Sequence, residues 1–378
     1  MAEHVLITGG AGFIGSRLAK RIVDDGHTVT VLDALISQVH GEDPENDSPL
    51  FKSLDGVATV IHGTVTSTDD LRLALRGVTA IVHLAAETGT GQSMYEIDRY
   101  VTANVGGTAK LLDLLANEAH TVRRIVVASS RSIYGEGAYI DRDGQVVYPP
   151  HRADEAMSQG DYRVLGADGE ALTLIPTDEE ARLHPSSVYG ITKQMQESLI
   201  MTVAPTLRIQ PVALRYQNVY GPGQSLKNAY TGILSIFSTL IRQGKAINIF
   251  EDGLESRDFV YIDDVVEATF LAVTHPDAAG GTFNVGSGVA TTVNEVVGAL
   301  FKAFSADVPT HISGNYRLGD IRHNVADTTR LREVLGFTPA TPFEDGVQRF
   351  VEWVLTEPVE GDTYQRSLDE MASRNLLK

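Results

Sequence analysis

The chain has 378 residues, 43% of them hydrophobic and 21% charged, a composition that excludes disorder for its bulk and allows one large domain or two joined ones. Its 49 acidic against 31 basic residues give a net charge of −18, the wrong sign for a protein that grips a nucleic-acid backbone or an anionic membrane. Cysteine is absent, which excludes disulfides, thiolate nucleophiles and Cys-ligated metal sites together.

The first half alternates short β-branched apolar runs with longer stretches of helical period, the pattern of an α/β parallel sheet with helices on both faces. Strands are predicted at His4 to Thr8, Thr28 to Asp33, Thr59 to His62, Ala80 to Ala85, Arg124 to Ser129 and Val212 to Tyr216. Helices are predicted at Phe13 to Asp25, Asp69 to Arg76, a long one near Met94 to Glu118, and Ser187 to Ala204. Between Tyr134 and Pro185 the periodicity fails and Gly, Pro, Asp and Glu dominate, which marks 136–182 as an insertion or lid.

Past Tyr216 the pattern changes to a Gly/Pro/Asn-rich loop, a helix near Tyr230 to Arg242, a strand Ile247 to Phe250 and a helix from near Asp263. A strand Thr282 to Val285 and helices Val293 to Phe304 and Phe343 to Leu355 follow, and the polar tail after Thr356 is expected to be loosely held. No apolar stretch nears the roughly 20 residues of a membrane span, and the N-terminus lacks the charged region and cleavage site of a signal peptide. A cytoplasmic protein is expected.

Gly9-Gly10-Ala11-Gly12-Phe13-Ile14-Gly15 follows a predicted strand and opens a predicted helix, the context that gives a glycine motif its meaning. Gly9 makes the tight turn, Gly12 lets backbone approach a pyrophosphate at the helix N-terminus, and Gly15 allows close helix–strand packing. Asp33 ends the second strand, where a carboxylate accepts hydrogen bonds from adenosine ribose hydroxyls and repels a 2′-phosphate. With Ala34 and Leu35 following and no arginine nearby, NAD is favoured over NADP.

Tyr189 and Lys193 share one face of a predicted helix at i and i+4, and a lysine cation beside a phenol stabilises the phenolate, making a base. By itself this spacing also describes a solvated helix face. Ser129, Ser130, Arg131 and Ser132 stand at the carboxyl end of the fifth strand, where open α/β folds place their chemistry and where a hydroxyl could reach the reacting oxygen.

These residues resemble the extended short-chain dehydrogenase/reductase family, in particular its NAD-dependent sugar-nucleotide epimerases and dehydratases. The resemblance runs from about His4 to Leu355. It rests on Gly9 to Gly15, His83-Leu84-Ala85-Ala86, Asn104 to Thr108, Ser130 four residues before Tyr134, Tyr189/Lys193, Leu214 to Pro222, and Arg257 to Val260. Within the family, Gly91 to Tyr95, the run Tyr220 to Gly232, the insertion and His184 to Ser187 are most similar to the dTDP-L-rhamnose 4-epimerase type.

The resemblance implies a Rossmann-type doubly wound sheet with a smaller, interleaved C-terminal α/β unit. It implies an NAD-binding unit of 1–215 with about 258–278, a sugar-nucleotide unit of 216–257 with 279–356, and a tail at 357–378. Ser130, Tyr189 and Lys193 would be the catalytic trio. Cofactor contacts would come from Gly9, Gly12, Phe13, Ile14, Gly15, Asp33, Leu84, Ala85, Ala86, Asn104, Tyr189, Lys193 and Tyr216. The nucleoside-diphosphate sugar would fall to Thr88, Gln92, Ser130, Asn218, Asn228, Asn248, Phe250, Arg257, Arg317 and Asp320, with Asn248 and Phe250 around the base. The family also implies a homodimer, which would pair the helix after Met94 with the one after Ser187 through Leu111, Leu112, Leu114, Leu115, Met195, Leu199 and Val203. Burial within one chain explains those positions equally well.

Two departures qualify the match. Thr64 stands where the family commonly has an Asp on adenine, which leaves Thr64 or backbone groups for that contact. The insertion lacks the paired cysteines of some relatives, and His151 and His184 are too few and too far apart in sequence to argue a metal; none is expected. Dehydratases of the family follow the catalytic hydroxyl with an Asp-Glu pair, whereas Arg131 and Ser132 stand here. The expected reaction is therefore inversion at C4 of a nucleoside-diphosphate hexose such as dTDP-L-rhamnose. The alternatives are a 4,6-dehydratase, a UDP-glucose or UDP-glucuronate 4-epimerase, a keto-sugar reductase and a non-catalytic dinucleotide sensor.

Overall fold

A computed structural model describes residues 2–226, 228, 232–359 and 363–378. Its centre is a seven-stranded sheet in the order Thr282–Val285, Gln210–Tyr216, Arg124–Ser130, Ala80–His83, His4–Thr8, Thr28–Asp33, Thr59–His62. Every adjacent pair is parallel. Strands covered on both faces must be apolar at successive positions, and Val5, Leu6 and Ile7, like Ile125, Val126 and Val127, are fully buried.

The two-residue period of a strand sorts these side chains. Val5, Ile7 and Val126 face one core with helices Phe13–Asp24 and Ile262–Thr274. Leu6, Ile125 and Val127 face another with helices Thr68–Ala74, Gly107–Asn117 and Val188–Val203. Chain direction across the sheet reverses between the first and fourth strands, and at that switch point the carboxyl ends open a crevice.

The helix expected from Met94 begins at Ile97 and runs through a π-helical stretch, Val101–Gly106, into Gly107–Asn117. The wider turn coincides with Asn104, whose side chain is drawn out of the helix surface into two other elements. The start of the helix expected near Tyr230 lies outside the described residues, and the described part is Ile233–Arg242.

A smaller unit holds the strands Asn218–Tyr220, Ser256–Tyr261 and Ala290–Thr292 and the pair Ile247–Ile249 with Thr310–Ile312. Thr282–Val285, expected in that unit, is instead the edge strand of the main sheet, with Phe283 opposite Leu214 and Asn284 opposite Arg215. Phe283 and Val285 are buried there, and covering the exposed edge of Gln210–Tyr216 satisfies both the backbone and the apolar side chains. One continuous core joins the two units, from Val126 and Leu214 to Tyr220, Phe259 and Phe350.

The insertion is ordered by packing. Tyr139–Ile140 pairs with Val146–Val147 and Thr173–Leu174, and buried Arg152 meets Glu136 at 3.3 Å and Glu251 at 2.8 Å. The tail expected to be loose forms a helix, Thr363–Ser373, with Leu368 and Met371 buried. Among the described residues no helix is long and apolar enough to cross a membrane.

Candidate active site

The first strand delivers Gly9 into a turn with φ +69°, where a Cβ would stand 2.9 Å from the Ala85 backbone. A Cβ on Gly15 would stand 2.5 Å from the Gly10 Cα, so the helix can lie against the turn only because both are glycine. Gly12 is the N-cap of the helix Phe13–Asp24, and Phe13 and Ile14 of its first turn, where backbone N–H groups have no partner within the helix, line the crevice. The Asp33 carboxylate is fixed at the crevice floor, Oδ2 accepting from Ala11 N and Oδ1 from Leu35 N, each at 2.9 Å.

His40 Nε2 lies 3.7 Å from Asp33, but burial outweighs the pull of that carboxylate and lowers its pKa. It stays neutral, so no histidine cation offsets the charge of Asp33 here. The resulting cleft, of about 1180 Å³, is lined by Gly9, Gly12, Phe13, Ile14, Gly15, Asp33, Leu84, Ala85 and Ala86, and it fits NAD. Thr64 lines it too, with its hydroxyl 3.0 Å from that of Thr66.

A second cavity, of about 390 Å³, opens between the sheet and the smaller unit. Tyr189 lines both cavities. Its helix begins at Ser187, whose hydroxyl accepts from Gly190 N at 3.1 Å, and this cap sets Tyr189 at the first turn. Ser130 ends the fifth strand and accepts from Ser132 N at 3.1 Å. Burial raises the Tyr189 pKa, opposed by a hydrogen bond with Ser130 and by the charge of Arg131.

Lys193 departs from expectation. Its Nζ donates to Gln196 Oε1 at 2.6 Å, and burial pushes its pKa down to about 7 against the pull of Glu197. Gln196, three residues further along the same helix, captures the amine, and Gln196 is itself held by Thr108 and by buried His83. The cation that favours the phenolate is Arg131, whose Nε donates to Asn218 Oδ1 at 2.7 Å.

The second cavity gathers Ser130, Asn218, Asn248, Phe250, Arg257, Arg317 and Asp320. Arg257 is fixed by Asp320 Oδ1 and Ile321 O, both at 2.8 Å. Burial raises the Asp320 pKa, but Arg257, Arg317 and Arg131 outweigh it, so the carboxylate stays charged. Arg317 lies over the Phe250 ring at 5.0 Å, and its Nε and the Asn248 Oδ1 are buried without hydrogen-bond partners. Unmet donors and acceptors of this kind suit a polar ligand.

Other expected contacts lie elsewhere. Thr88 and Asn228 line the cofactor cleft, and Gln92 lines neither cavity because its amide is engaged by Gln38, Glu96 and Tyr100. Asn104 is fully buried behind the wall, bonded to Glu87 N at 2.7 Å and Thr192 Oγ1 at 2.9 Å; it organises the site rather than lining it. The Tyr216 hydroxyl turns into the core, 2.7 Å from Thr269 Oγ1, and Tyr216 lines neither cavity. Among the described residues no group of three or more His, Asp or Glu could hold a metal ion, although the fold brings the His151 and His184 rings to 4.5 Å.

The model of the NAD dependent epimerase/dehydratase family matches residues 5–155 and 163–286. The chain belongs to this family. It is an NAD-dependent enzyme of the epimerase/dehydratase type. It is 36% identical to a dTDP-L-rhamnose 4-epimerase from Burkholderia thailandensis over 94% of this chain and 96% of that protein. A UDP-glucose 4-epimerase from Thermotoga maritima, solved with UDP-glucose, superimposes with a TM-score of 0.73 at 27% identity, over 93% and 98% of the chains. MoeE5, solved with UDP-glucuronic acid and NAD, superimposes with a TM-score of 0.73 at 29% identity, over 93% and 99%.

Three features of this family member have no signal in the sequence. The charge of Arg131 sits beside Tyr189. Gln196 gave no motif. Tyr364, Met371 and Leu376 of the tail line the second cavity, and nothing local in a polar tail shows what it covers.

Proposed function

We propose that the protein inverts C4 of a nucleoside-diphosphate 6-deoxyhexose, with dTDP-L-rhamnose and its C4 epimer as the favoured pair. One observation carries the reading: Tyr189, with Ser130 beside it, is the ionisable side chain among the described residues that lines both the cofactor cleft and the sugar cavity. As a phenolate, Tyr189 takes the C4 hydroxyl proton while Ser130 hydrogen-bonds the same oxygen. NAD held by the turn Gly9 to Gly15 and by Asp33 would supply the hydride acceptor for C4 and the hydride donor to the opposite face of the sugar, with no net redox change. Arg257, Arg317 and Asp320 hold the nucleotide end, and that remote binding retains the keto sugar while it turns over. The positions of the dehydratase acid and base are Arg131 and Ser132; arginine cannot give up a proton near neutral pH, and a lone serine is a poor acid or base. The 36% identity to a dTDP-L-rhamnose 4-epimerase supports the 6-deoxy sugar.

A second substrate class has one observation in its favour. Arg131 presents a half-buried cation in the sugar cavity, and a hexuronate would offer it a carboxylate. Incubation with dTDP-L-rhamnose, UDP-glucose and UDP-glucuronate, with products resolved by NMR, separates the readings. Turnover of dTDP-L-rhamnose alone supports the first, turnover of UDP-glucuronate alone the second, and C4 inversion of none refutes both.

The active form in this reading is a homodimer. Leu111, Leu112, Leu114 and Leu115 are consumed by the chain's own core, while Ile97, Val101, Ile191 and Met195 are exposed on neighbouring helices and offer an apolar surface to a second copy.

A further inference from the structure

The tail 363–378 bridges the two sides of the sugar cavity. On the sheet side its helix Thr363–Ser373 meets the loop after the fourth strand: Tyr95 donates to Glu370 Oε2 at 3.1 Å, and the Arg374 guanidinium lies 4.2 Å from the Tyr95 ring centre. Gly91 packs closely there, since a Cβ would stand 3.0 Å from the Met371 Sδ. On the other side the last residues add a short antiparallel strand to 316–318. Tyr316 N donates to Lys378 O at 2.9 Å, Lys378 N to Tyr316 O at 3.0 Å, and Leu318 N to Leu376 O at 3.0 Å.

Arg317 is the residue between those two anchored positions, paired with Leu377. A third tie reaches the insertion, where Asp154 accepts from the Tyr316 hydroxyl at 2.6 Å and pairs with the Lys378 amine. Met371 and Leu376 face the same cavity as Ser130, Tyr189 and Arg317.

We propose that the C-terminal segment 363–378 is a substrate-binding element, a strap that closes the nucleotide-sugar cavity and fixes Arg317 against the nucleoside diphosphate. Two physical effects support it. The strap puts apolar side chains over a cavity that Arg131, Arg257 and Arg317 also line, and removing water there strengthens the contacts of those cations with phosphate. It also restrains the backbone on both sides of Arg317, so less ordering is left to be done when ligand binds. A free tail would leave the cavity mouth wet and this stretch of backbone unpaired.

This inference rests on the reading of the cavity as a nucleotide-sugar site. The test uses the NAD-containing full chain, a chain ending at Val359, and Met371→Glu, which forces a charge into the apolar contact with Gly91. Titration calorimetry with dTDP and with UDP should show both variants binding the preferred diphosphate about tenfold or more weakly, with NAD content unchanged and a cooperative melt retained. In the full chain, hydrogen exchange at Tyr316, Leu318 and Lys378 should slow when that diphosphate is added. Affinities within about twofold of the full chain in either folded variant would overturn the proposal. If both variants unfold, the exchange experiment decides, and amides indifferent to diphosphate overturn it. A full chain that holds NAD but binds neither diphosphate removes the nucleotide-sugar reading itself, a different outcome from equal binding with and without the strap.

Discussion

Lys193 donates a hydrogen bond to Gln196: the Nζ–Oε1 distance is 2.6 Å, and the amine is buried. Burial has pushed its pKa down to about 7, far below the value of about 10.4 in an unfolded chain. Between those values the unfolded state binds the extra proton, so this group's contribution to stability rises with pH above about 7 and is lost as pH falls back through that value. Urea midpoints of the cofactor-free protein should increase from pH 7 to pH 9, and Lys193→Met should flatten the rise. An unchanged slope in the variant would show that other groups set it.

In the proposed reaction Arg131 would tune the base. Tyr189 is raised by burial and lowered by Ser130 and Arg131, so deleting the cation should move the acid limb of the kcat/KM profile to higher pH. The expected displacement for Arg131→Ala is about one unit or more, and Arg131→Lys should recover part of it. A limb that stays in place would leave Arg131 with binding alone.

Tyr189→Phe removes only the ionisable oxygen. Turnover should drop roughly 100-fold or more while NAD content and melting temperature hold. Ser130→Ala should lose activity as well. Near-full turnover by the phenylalanine variant would make Tyr189 a structural residue.

In deuterated water, C4 epimers should interconvert without deuterium entering C5, because neither Arg131 nor Ser132 supplies a base there. Deuterium at C5, or a 4-keto-6-deoxy product that accumulates, would move the enzyme to the dehydratases or multi-centre epimerases.

Met195→Glu places a carboxylate on the exposed apolar surface shared with Ile97, Val101 and Ile191. Light scattering should give a parent of about twice the 40.8 kDa chain mass and a variant near 40.8 kDa. A parent that is already monomeric at workable concentrations disposes of the dimer.

Much of the site was legible because its parts are local. Gly9 to Gly15, Asp33 at a strand end and the Tyr189/Lys193 spacing each lie within a short window, and each falls on the element its pattern predicts. What escaped depends on long-range neighbours. Thr282–Val285 joined the main sheet because Gln210–Tyr216 had an open edge, which no pattern inside those four residues reveals. Tyr216 and Gln92 carry polar groups that the core claimed first, through Thr269 and Tyr100. The tail reads as polar, and its few apolar positions gain meaning only from Gly91, brought close by the fold.

The core that runs without a break from Val126 and Leu214 to Tyr220, Phe259 and Phe350 also limits how the molecule can breathe. Two bodies with separate interiors can rock about a hinge and widen the cleft between them. Here such rocking would shear a close-packed interior, so the units should melt in a single calorimetric transition. Traffic through the cleft then falls to peripheral segments that can peel away without exposing that interior.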